Sequence, residues 1–350
     1  MLNFYPGPSA VYPAIETFLQ DAFAEGILSI QHRSSAFVDI SQRVQNGLQQ
    51  KLGMPKDYVA FYLSSATEAW DVINRNFPAH EFFHFFNGSF GKKWHNYRRS
   101  IFPTRTQALP FDYQALPPDF VRPVPTQTLF ALTHNETSNG TQIPAHILPN
   151  LRKRYPNALI AVDATSSMAG VTLDWLSADL WLASVQKCFG LPAGLGLLIA
   201  SPGALEQARN PLQYNDLGFL AAQMQHYQTN HTPNVLGIYL LARVLEMRQA
   251  IPEISTKIQT QAKDWYHFLA QQGYACLVKE PKLRSNTVIA VSGPPSWVAQ
   301  IKARAYSSGF VLGNGYGDWK ANTFRIANFP AITPESIAQL QFFFKKQQLP

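Results

Sequence analysis

Short apolar runs recur along the first two thirds of the chain, and stretches with a helical pattern separate several of them. Apolar runs of this length, bounded by turn residues, are typical of buried strands. They predict strands at residues 58–63, 82–86, 128–132, 158–162, 179–184 and 195–200. Helical stretches are predicted at 67–76 and 145–154. This alternation predicts an α/β fold, with a mainly parallel central sheet covered by helices.

The pattern changes at about residue 236. Two long helical stretches, 236–248 and 254–272, are followed by strand-like segments at 286–291 and 323–327. A chain of 350 residues suits two domains better than one. We predict a large domain over residues 10–240 and a smaller α/β domain over 241–350, with residues 1–9 packed beside the smaller one.

Composition narrows the classes of function. Hydrophobic residues make up 46% of the chain and charged residues 15%, as in a globular protein. The net charge of +7 comes from basic residues scattered singly or in pairs, so we predict no nucleic-acid partner. The two cysteines, Cys188 and Cys276, lack metal-ligand spacing, and no metal site is predicted. Without a signal peptide or an apolar run long enough to cross a membrane, the expected location is cytoplasmic.

Lys187 follows one of the predicted strands and precedes a stretch rich in glycine and proline. Parallel sheets present functional groups at the carboxyl ends of their strands. A lysine that is partly desolvated there can lose its proton and form a Schiff base with an aldehyde cofactor. A lysine that only ends the strand and points to water would occupy the same position. The segment alone does not decide between these two interpretations.

Two more strand ends carry candidate chemistry. After the strand at 58–63, Ser65 and Glu68 have capping-box spacing, and open amides at this helix start could bind a phosphate. A plain helix cap would look the same. After the strand at 82–86, a tight turn is predicted to place Phe90 beside this helix start. Its ring could stack on a planar ligand or belong to the core.

The next two strand ends are polar. The loop at 133–140 could supply hydroxyl and amide contacts to a ring oxygen, although a generic loop would look similar. Asp163 could hold a ring nitrogen protonated, or it could cap the following turn. A phosphate cup, a stacking ring, a hydroxyl donor, an aspartate and a lysine, in this chain order, together describe a site for pyridoxal phosphate.

With this pattern, the chain resembles the fold-type I pyridoxal-phosphate enzymes of the class V aminotransferase family, most closely its phosphoserine aminotransferases. The resemblance covers nearly the whole chain. It is carried by the segments 3–8, 30–34, 134–137, 184–187 and 324–329.

The resemblance implies pyridoxal phosphate as the cofactor and assigns roles to individual residues. Lys187 would form the Schiff base and carry a proton between the substrate α-carbon and the cofactor C4′ carbon. Asp163 would pair with the pyridine nitrogen, and Thr137 would contact the phenolic oxygen. Phe90 would stack on the ring, where the family usually has tryptophan.

The same resemblance assigns the cofactor phosphate to several positions: Ala66, Thr67, Gln186, His231 and Thr232. In the family, the segment that contains Thr232 reaches across a dimer interface. His231 occupies a position where the family has asparagine. A homodimer with shared active sites is therefore implied.

For the substrate, the resemblance implies that Arg325 binds the α-carboxylate, and that His32 and Arg33 lie near a side-chain phosphate. The family usually has a second His-Arg pair shortly before this arginine. Here residues 313–320 contain none, and they look more like alanine–glyoxylate and serine–pyruvate aminotransferases.

The implied function is ping-pong transamination of 3-phosphoserine with 2-oxoglutarate, as in serine biosynthesis. An aminotransferase of the alanine–glyoxylate, serine–glyoxylate or serine–pyruvate type is the alternative within the same chemistry. A cysteine desulfurase would need a reactive loop cysteine, and neither Cys188 nor Cys276 suits that role. A non-catalytic protein on the same fold would have no need of Lys187 and Asp163.

Overall fold

The computed structural model describes residues 1–118, 120–209 and 214–347, and the fold is given for these residues. The strands are β1 (Leu2–Phe4), β2 (Val59–Leu63), β3 (Glu81–Phe86), β4 (Thr106–Pro110), β5 (Thr128–Thr133), β6 (Asn135–Glu136), β7 (Thr141–Gln142), β8 (Leu159–Asp163), β9 (Leu180–Ser184), β10 (Gly196–Ala200), β11 (Ala275–Cys276), β12 (Val288–Ser292), β13 (Phe310–Asn314) and β14 (Thr323–Ala327). The α-helices are α1 (Ile15–Ala24), α2 (Ser35–Leu52), α3 (Ala66–Asn76), α4 (Ser89–Ile101), α5 (Ile147–Arg154), α6 (Pro202–Gln207), α7 (Leu217–Met224), α8 (Val235–Met247), α9 (Ile251–Gln271), α10 (Pro295–Ser307) and α11 (Pro334–Lys345).

The larger sheet has seven strands in the order β2-β10-β9-β8-β5-β3-β4. Strands β9, β8, β5, β3 and β4 pair in parallel, whereas β10 runs antiparallel to both of its neighbours. Every residue of β8, β9 and β10 is buried, as expected for strands covered on both faces. The predicted α/β architecture with a mainly parallel sheet is confirmed.

The smaller sheet has the order β1-β13-β14-β12-β11. Its first strand comes from the N-terminus, where Leu2 lies opposite Phe310 in a parallel pairing. Strands β12 and β14 correspond to the segments predicted at 286–291 and 323–327. The division into domains at 10–240 and 241–350 stays a prediction, and its residues 348–350 lie outside the described part of the chain.

The strands of these sheets that were not predicted from the sequence include β4 and β13. Strand β4 lies at the edge of the larger sheet, and after the buried Thr106 its residues alternate between partly exposed and exposed, so no continuous apolar run marks it. Strand β13 contains Gly313 and ends on an exposed asparagine. Within the described residues, no helix combines the length and the apolar composition needed to cross a bilayer.

Helices α3 and α4 both begin at the carboxyl edge of the larger sheet, and a buried arginine joins their far ends. The side chain of Arg98, in α4, is fully buried and donates hydrogen bonds to the main-chain oxygens of Asn74, Phe77 and His80. These oxygens lie at and just beyond the end of α3, where helical carbonyls lack partners. The guanidinium also lies about 4 Å from two aromatic ring centres, those of Phe82 and Phe102.

Burial lowers the pKa of Arg98 to about 9, because desolvation disfavours its charged form. We expect Arg98→Met to lower the free energy of unfolding by about 3 kcal/mol, since several buried carbonyls lose their donor. Urea unfolding measures this loss. Arg99→Met is the matched control, because Arg99 is exposed on the same helix, and it should change stability by less than about 0.5 kcal/mol. Equal losses of unfolding free energy in the two variants would contradict a stabilising role for the buried Arg98 side chain.

Candidate active site

The carboxyl ends of the parallel strands border a pocket of about 200 Å³. At this edge Thr133 pairs with Asp163, and Asp163 pairs with Leu182. The pocket collects residues from both sheets and from the N-terminal segment. Among the residues that line it are eight of the predicted site residues: Ala66, Thr67, Phe90, Thr137, Asp163, Gln186, Lys187 and Arg325.

Lys187 is buried at this pocket, three residues beyond the end of β9. Its Nζ donates hydrogen bonds to Thr137 Oγ1 at 2.9 Å and to Ser166 Oγ at 3.0 Å. Burial lowers the pKa of Lys187 to about 8; the carboxylate of Asp163 opposes this shift and the guanidinium of Arg325 adds to it. A substantial fraction of the amine is therefore neutral near neutral pH, which makes it a usable nucleophile.

Gly7 passes directly over the lysine side chain. A Cβ atom at this position would lie 2.7 Å from Lys187 Cε, and its φ of +133° is one that side-chain-bearing residues rarely adopt. The next turn is anchored because Ser9 N–H donates to the main-chain oxygen of Gln186. Gly7 was not predicted as a site residue, although the surrounding Pro-Gly-Pro run is a turn signal.

Asp163 ends β8 and is buried beside the lysine. Its Oδ2 accepts a hydrogen bond from Trp70 Nε1 at 3.0 Å, and its Oδ1 accepts one from the main-chain N–H of Thr165 at 2.9 Å. Burial raises the pKa of Asp163, while these hydrogen bonds and the nearby Lys187 act in the opposite direction. Trp70 was not predicted as a site residue. Its ring packs nearly parallel to that of Trp94, with centroids 6.1 Å apart.

Thr137 lies in the ribbon of β6 and β7, within the segment predicted as a polar loop. Its side chain contacts Lys187 and also lies 2.5 Å from Ser166 Oγ. Its main-chain oxygen accepts a hydrogen bond from Arg325 Nη1 at 2.7 Å. Ser166 was not predicted as a site residue, since the run after Asp163 contains several hydroxyls that the sequence alone cannot rank.

Arg325 comes from β14 of the smaller sheet and is buried at the pocket. Besides Thr137, it bonds the main-chain oxygen of Asn314 through Nε at 2.7 Å. Its Nη2 group makes no hydrogen bond with the described residues, so it can bind a ligand carboxylate. Burial lowers the pKa of Arg325.

The tight turn predicted around Phe90 is wrong, because Ser89 already begins helix α4. The ring of Phe90 nevertheless lines the pocket, and its centroid lies 5.4 Å from Lys187 Nζ. It stacks on Tyr316 with centroids 4.9 Å apart and an interplanar angle of 17°. A planar ligand between Lys187 and α4 would therefore meet an aromatic surface.

The start of α3 differs in detail from the predicted phosphate cup. Ser65 Oγ accepts a hydrogen bond from Glu68 N–H as predicted, but the Glu68 carboxylate binds Ser64 instead of closing a capping box. The amide of Ala66 is not open, since Ser184 at the end of β9 accepts its hydrogen bond at 2.7 Å. The amide of Thr67 makes no hydrogen bond with the described residues, and a free amide at a helix start is suited to binding an anion.

Four predicted residues do not line this pocket within the described chain: His32, Arg33, His231 and Thr232. His32 Nδ1 lies 3.5 Å from Thr232 Oγ1, so they form a separate cluster. His231 Nδ1 contacts Asn230 Oδ1 at 2.7 Å, and burial lowers its pKa against the opposing charge of Glu68. Arg33 and Thr232 are exposed.

Thiol and metal chemistry find no support at the pocket. Cys188 and Cys276 do not line it, and burial raises their thiol pKa values to about 12 and about 11. Neither is thus a ready nucleophile. Within the described ranges, no group of three or more His, Cys, Asp or Glu side chains could hold a metal ion.

The residues present fit pyridoxal phosphate. Lys187 offers a neutral amine for its aldehyde, Asp163 a carboxylate for its ring nitrogen, and Phe90 a surface for its ring. Four buried oxygens of residues that line the pocket have no hydrogen-bond partner among the described residues: Thr133 Oγ1, Asn135 Oδ1, Thr165 Oγ1 and Gln186 Oε1. Buried polar atoms are rarely left unpaired, so these oxygens are suited to a polar ligand.

Comparisons with known proteins identify the family of this chain. The model of the aminotransferase class-V family matches residues 122–296, half of the chain. The phosphoserine aminotransferase of Rhodococcus opacus is 27% identical over 97% of this chain and 92% of its own length. The crystal structure of a phosphoserine aminotransferase from Cytophaga hutchinsonii is 30% identical, with a TM-score of 0.91 and 98% of both chains covered.

An alanine–glyoxylate aminotransferase from Nostoc is 18% identical, with a TM-score of 0.82 over 99% of this chain and 94% of its own, and it shares the fold. The neighbours of this fold include phosphoserine aminotransferases determined with the cofactor. The chain belongs to the class-V aminotransferases and is a pyridoxal-phosphate-dependent enzyme that transfers an amino group between amino acids and 2-oxo acids.

Proposed function

We propose that this aminotransferase converts 3-phosphoserine and 2-oxoglutarate by a ping-pong mechanism, in which the first product leaves before the second substrate binds. One observation carries the proposal: Lys187 Nζ and the Arg325 guanidinium meet on either side of Thr137. An amine that can act as a base thus lies in the same pocket as a guanidinium whose Nη2 group can bind an α-carboxylate. The names of the relatives support phosphoserine as the amino donor.

Each pocket residue has one task in this proposal. Pyridoxal phosphate, when bound, supplies the electron sink that stabilises negative charge at the substrate α-carbon. Lys187 Nζ takes the proton from that carbon and holds it for return. Arg325 fixes the α-carboxylate, which aligns the reacting C–H bond. Asp163, held by Trp70 and Thr165, keeps the ring nitrogen protonated. Phe90 and Tyr316 exclude water from one side of the pocket.

A phosphate on the substrate side chain needs a further positive group. Among the described residues that line the pocket, the cationic side chains are Lys187 and Arg325, and both already have a task. We infer that His32 and Arg33 of the second subunit supply the missing charge, together with its Thr232 and His231 near the cofactor phosphate. Their clustering away from the pocket of their own chain supports this arrangement.

A homodimer follows from this inference. Helix α1 and the turn after it expose large apolar side chains to solvent, namely Leu19 (41% exposed), Phe23 (76%) and Leu28 (55%). Large apolar side chains exposed close together along the chain are a feature of interfaces between subunits. In a two-fold dimer each chain can lend its His32 and Arg33 to the pocket of the other.

A second candidate is transamination of small amino acids such as alanine or serine. It is favoured by the segment that precedes Arg325, where residues 313–320 contain neither histidine nor arginine. In the structure, Tyr316 occupies the pocket wall there. The two candidates differ in whether a phosphate on the substrate side chain raises kcat/KM.

The half-reaction of the cofactor-loaded enzyme distinguishes the candidates. We expect kcat/KM for phosphoserine to exceed that for serine or alanine by about 10- to 100-fold, because charge-assisted hydrogen bonds contribute about 1.5–3 kcal/mol. Arg33→Ala should remove most of this advantage and leave the rate with alanine nearly unchanged. Stopped-flow decay of the cofactor absorption measures each rate, with Arg99→Ala as the control. Equal rates with serine and phosphoserine would favour the second candidate.

Mixed dimers test whether the active sites are shared. Lys187→Ala chains should be inactive, and Arg33→Ala chains should react slowly with phosphoserine. When the two are unfolded together and refolded, the mixture should be more active with phosphoserine than either chain alone. Random pairing gives mixed dimers with one intact site each, so about one quarter of the wild-type activity is expected. The control mixes Lys187→Ala with Arg325→Ala, which lies in the same pocket within one chain and should restore nothing. No recovery in the first mixture would exclude Arg33 as a residue lent by the partner.

Attachment of the cofactor to Lys187 should depend on pH. Because only the neutral amine attacks an aldehyde, the rate of covalent attachment should rise about tenfold per pH unit below the lysine pKa of about 8 and level off above it. Arg325→Gln removes a cation that lowers this pKa, so its midpoint should lie at higher pH; Arg99→Gln should match the wild type. Absorbance after rapid mixing with pyridoxal phosphate gives the rates. A midpoint near the ordinary lysine value of 10.5 in the wild type would contradict the desolvated amine.

A further inference from the structure

We propose that Glu136 is a positioning residue that fixes the Phe90 ring opposite Lys187, by holding the N-terminus of helix α4. Glu136 does not line the pocket, and no role in binding was expected from the sequence. The inference concerns cofactor binding and does not depend on which amino acid the enzyme uses.

The carboxylate of Glu136 is buried, with 2% of the residue exposed, and it faces the first turn of α4. Its Oε2 accepts the N–H of Gly91 at 3.2 Å, and its Oε1 accepts the N–H of Phe90 at 3.4 Å. Oε1 also accepts the hydroxyl of Ser138 at 2.6 Å, and that hydroxyl accepts the N–H of Ser89 at 2.9 Å. The first three amides of the helix are thus satisfied by Glu136 at the end of β6 and by Ser138 in the loop that follows.

Helix α4 cannot cap itself, because its N-cap residue is Gly88. The first amides of a helix lack internal partners, and the positive end of the helix dipole favours a carboxylate there. A side chain at residue 88 is also excluded, since a Cβ would lie 2.3 Å from Glu136 Cγ. The cap is therefore supplied by a residue 45 positions away from Gly91 along the chain.

The cap supplied by Glu136 couples the position of the Phe90 ring to that of Lys187. Glu136 and Ser138 hold the helix that carries Phe90, and Thr137 between them holds Lys187 Nζ and Arg325. The three consecutive residues thus set the 5.4 Å distance between the Phe90 ring and Lys187 Nζ. Burial raises the pKa of Glu136, and the N–H and O–H donors around it oppose that shift, so its hydrogen bonds rather than solvent stabilise the charge.

A double-mutant cycle tests the proposal. Glu136→Gln keeps the shape of the side chain but turns an N–H donor toward the amide of Gly91. We expect it to weaken binding of pyridoxal phosphate about tenfold in the wild-type background, and by less than about twofold in a Phe90→Ala background, because the ring on which it acts is then absent. Quenching of tryptophan fluorescence gives the affinity without any amino acid present. Visible circular dichroism of the bound cofactor should lose amplitude in Glu136→Gln.

Two further variants keep the test decisive. Ser201→Ala removes a buried helix cap from α6, distant in the chain from this loop, and should leave cofactor affinity within about twofold of the wild type. If Glu136→Gln does not fold, Ser138→Ala enters the same cycle, with about a threefold effect expected. Equal weakening in the wild-type and Phe90→Ala backgrounds would overturn the proposal, as would a loss in Ser201→Ala equal to that in Glu136→Gln.

Discussion

The active site depends on a single residue of a short ribbon, Thr137, which is bonded from two directions. Its hydroxyl accepts a hydrogen bond from the Lys187 amine, and its main-chain oxygen accepts one from the Arg325 guanidinium. Two cationic groups are thereby held in one pocket although they repel each other, and the repulsion itself lowers the pKa of Lys187. Because the lysine comes from the larger sheet and the arginine from the smaller, this residue also sets the distance between the two sheets at the site.

Burial gives these contacts their strength. Lys187, Asp163 and Arg325 are each less than a tenth exposed. In such surroundings a charge interacts more strongly with its neighbours than in water, and an unpaired polar group is correspondingly costly. Hydrogen bonds to neutral groups offset this cost. The Trp70 indole donates to Asp163, hydroxyls accept from Lys187, and main-chain oxygens accept from Arg325. The charges therefore keep their positions without forming tight ion pairs that would neutralise them.

The parts of the site that depend on strand order could be predicted from the sequence. Asp163 ends β8 and Lys187 follows β9. Buried strands are recognisable as apolar runs, so the place of both residues was predictable. The contacts that orient these two residues could not be predicted in this way. Trp70 is 93 residues from Asp163, and Phe90 is 46 residues from Glu136, so no local pattern connects either pair.

The turn predicted at Phe90 failed for the same reason. Asn87 and Gly88 favour a turn when judged locally, whereas the carboxylate that caps α4 is supplied by Glu136, which is distant in the chain. For His32 and Arg33 the resemblance could name the residues but not the chain whose pocket they serve, because chain order says nothing about symmetry.

Polar contacts between the β6–β7 ribbon and residues 285–287 restrict motion of the smaller sheet. Asn135 Nδ2 bonds the hydroxyls of Ser285 and Thr287, the latter hydroxyl bonds the main-chain oxygen of Ser166, and Ser285 N–H bonds that of Gly140. A hinge motion of the smaller sheet would have to break several of these buried bonds together, at about 1–3 kcal/mol for each group left unpaired. Adaptation to substrates of different size therefore falls to side chains at the rim, such as the part-exposed Tyr316, while the two sheets stay fixed as one frame.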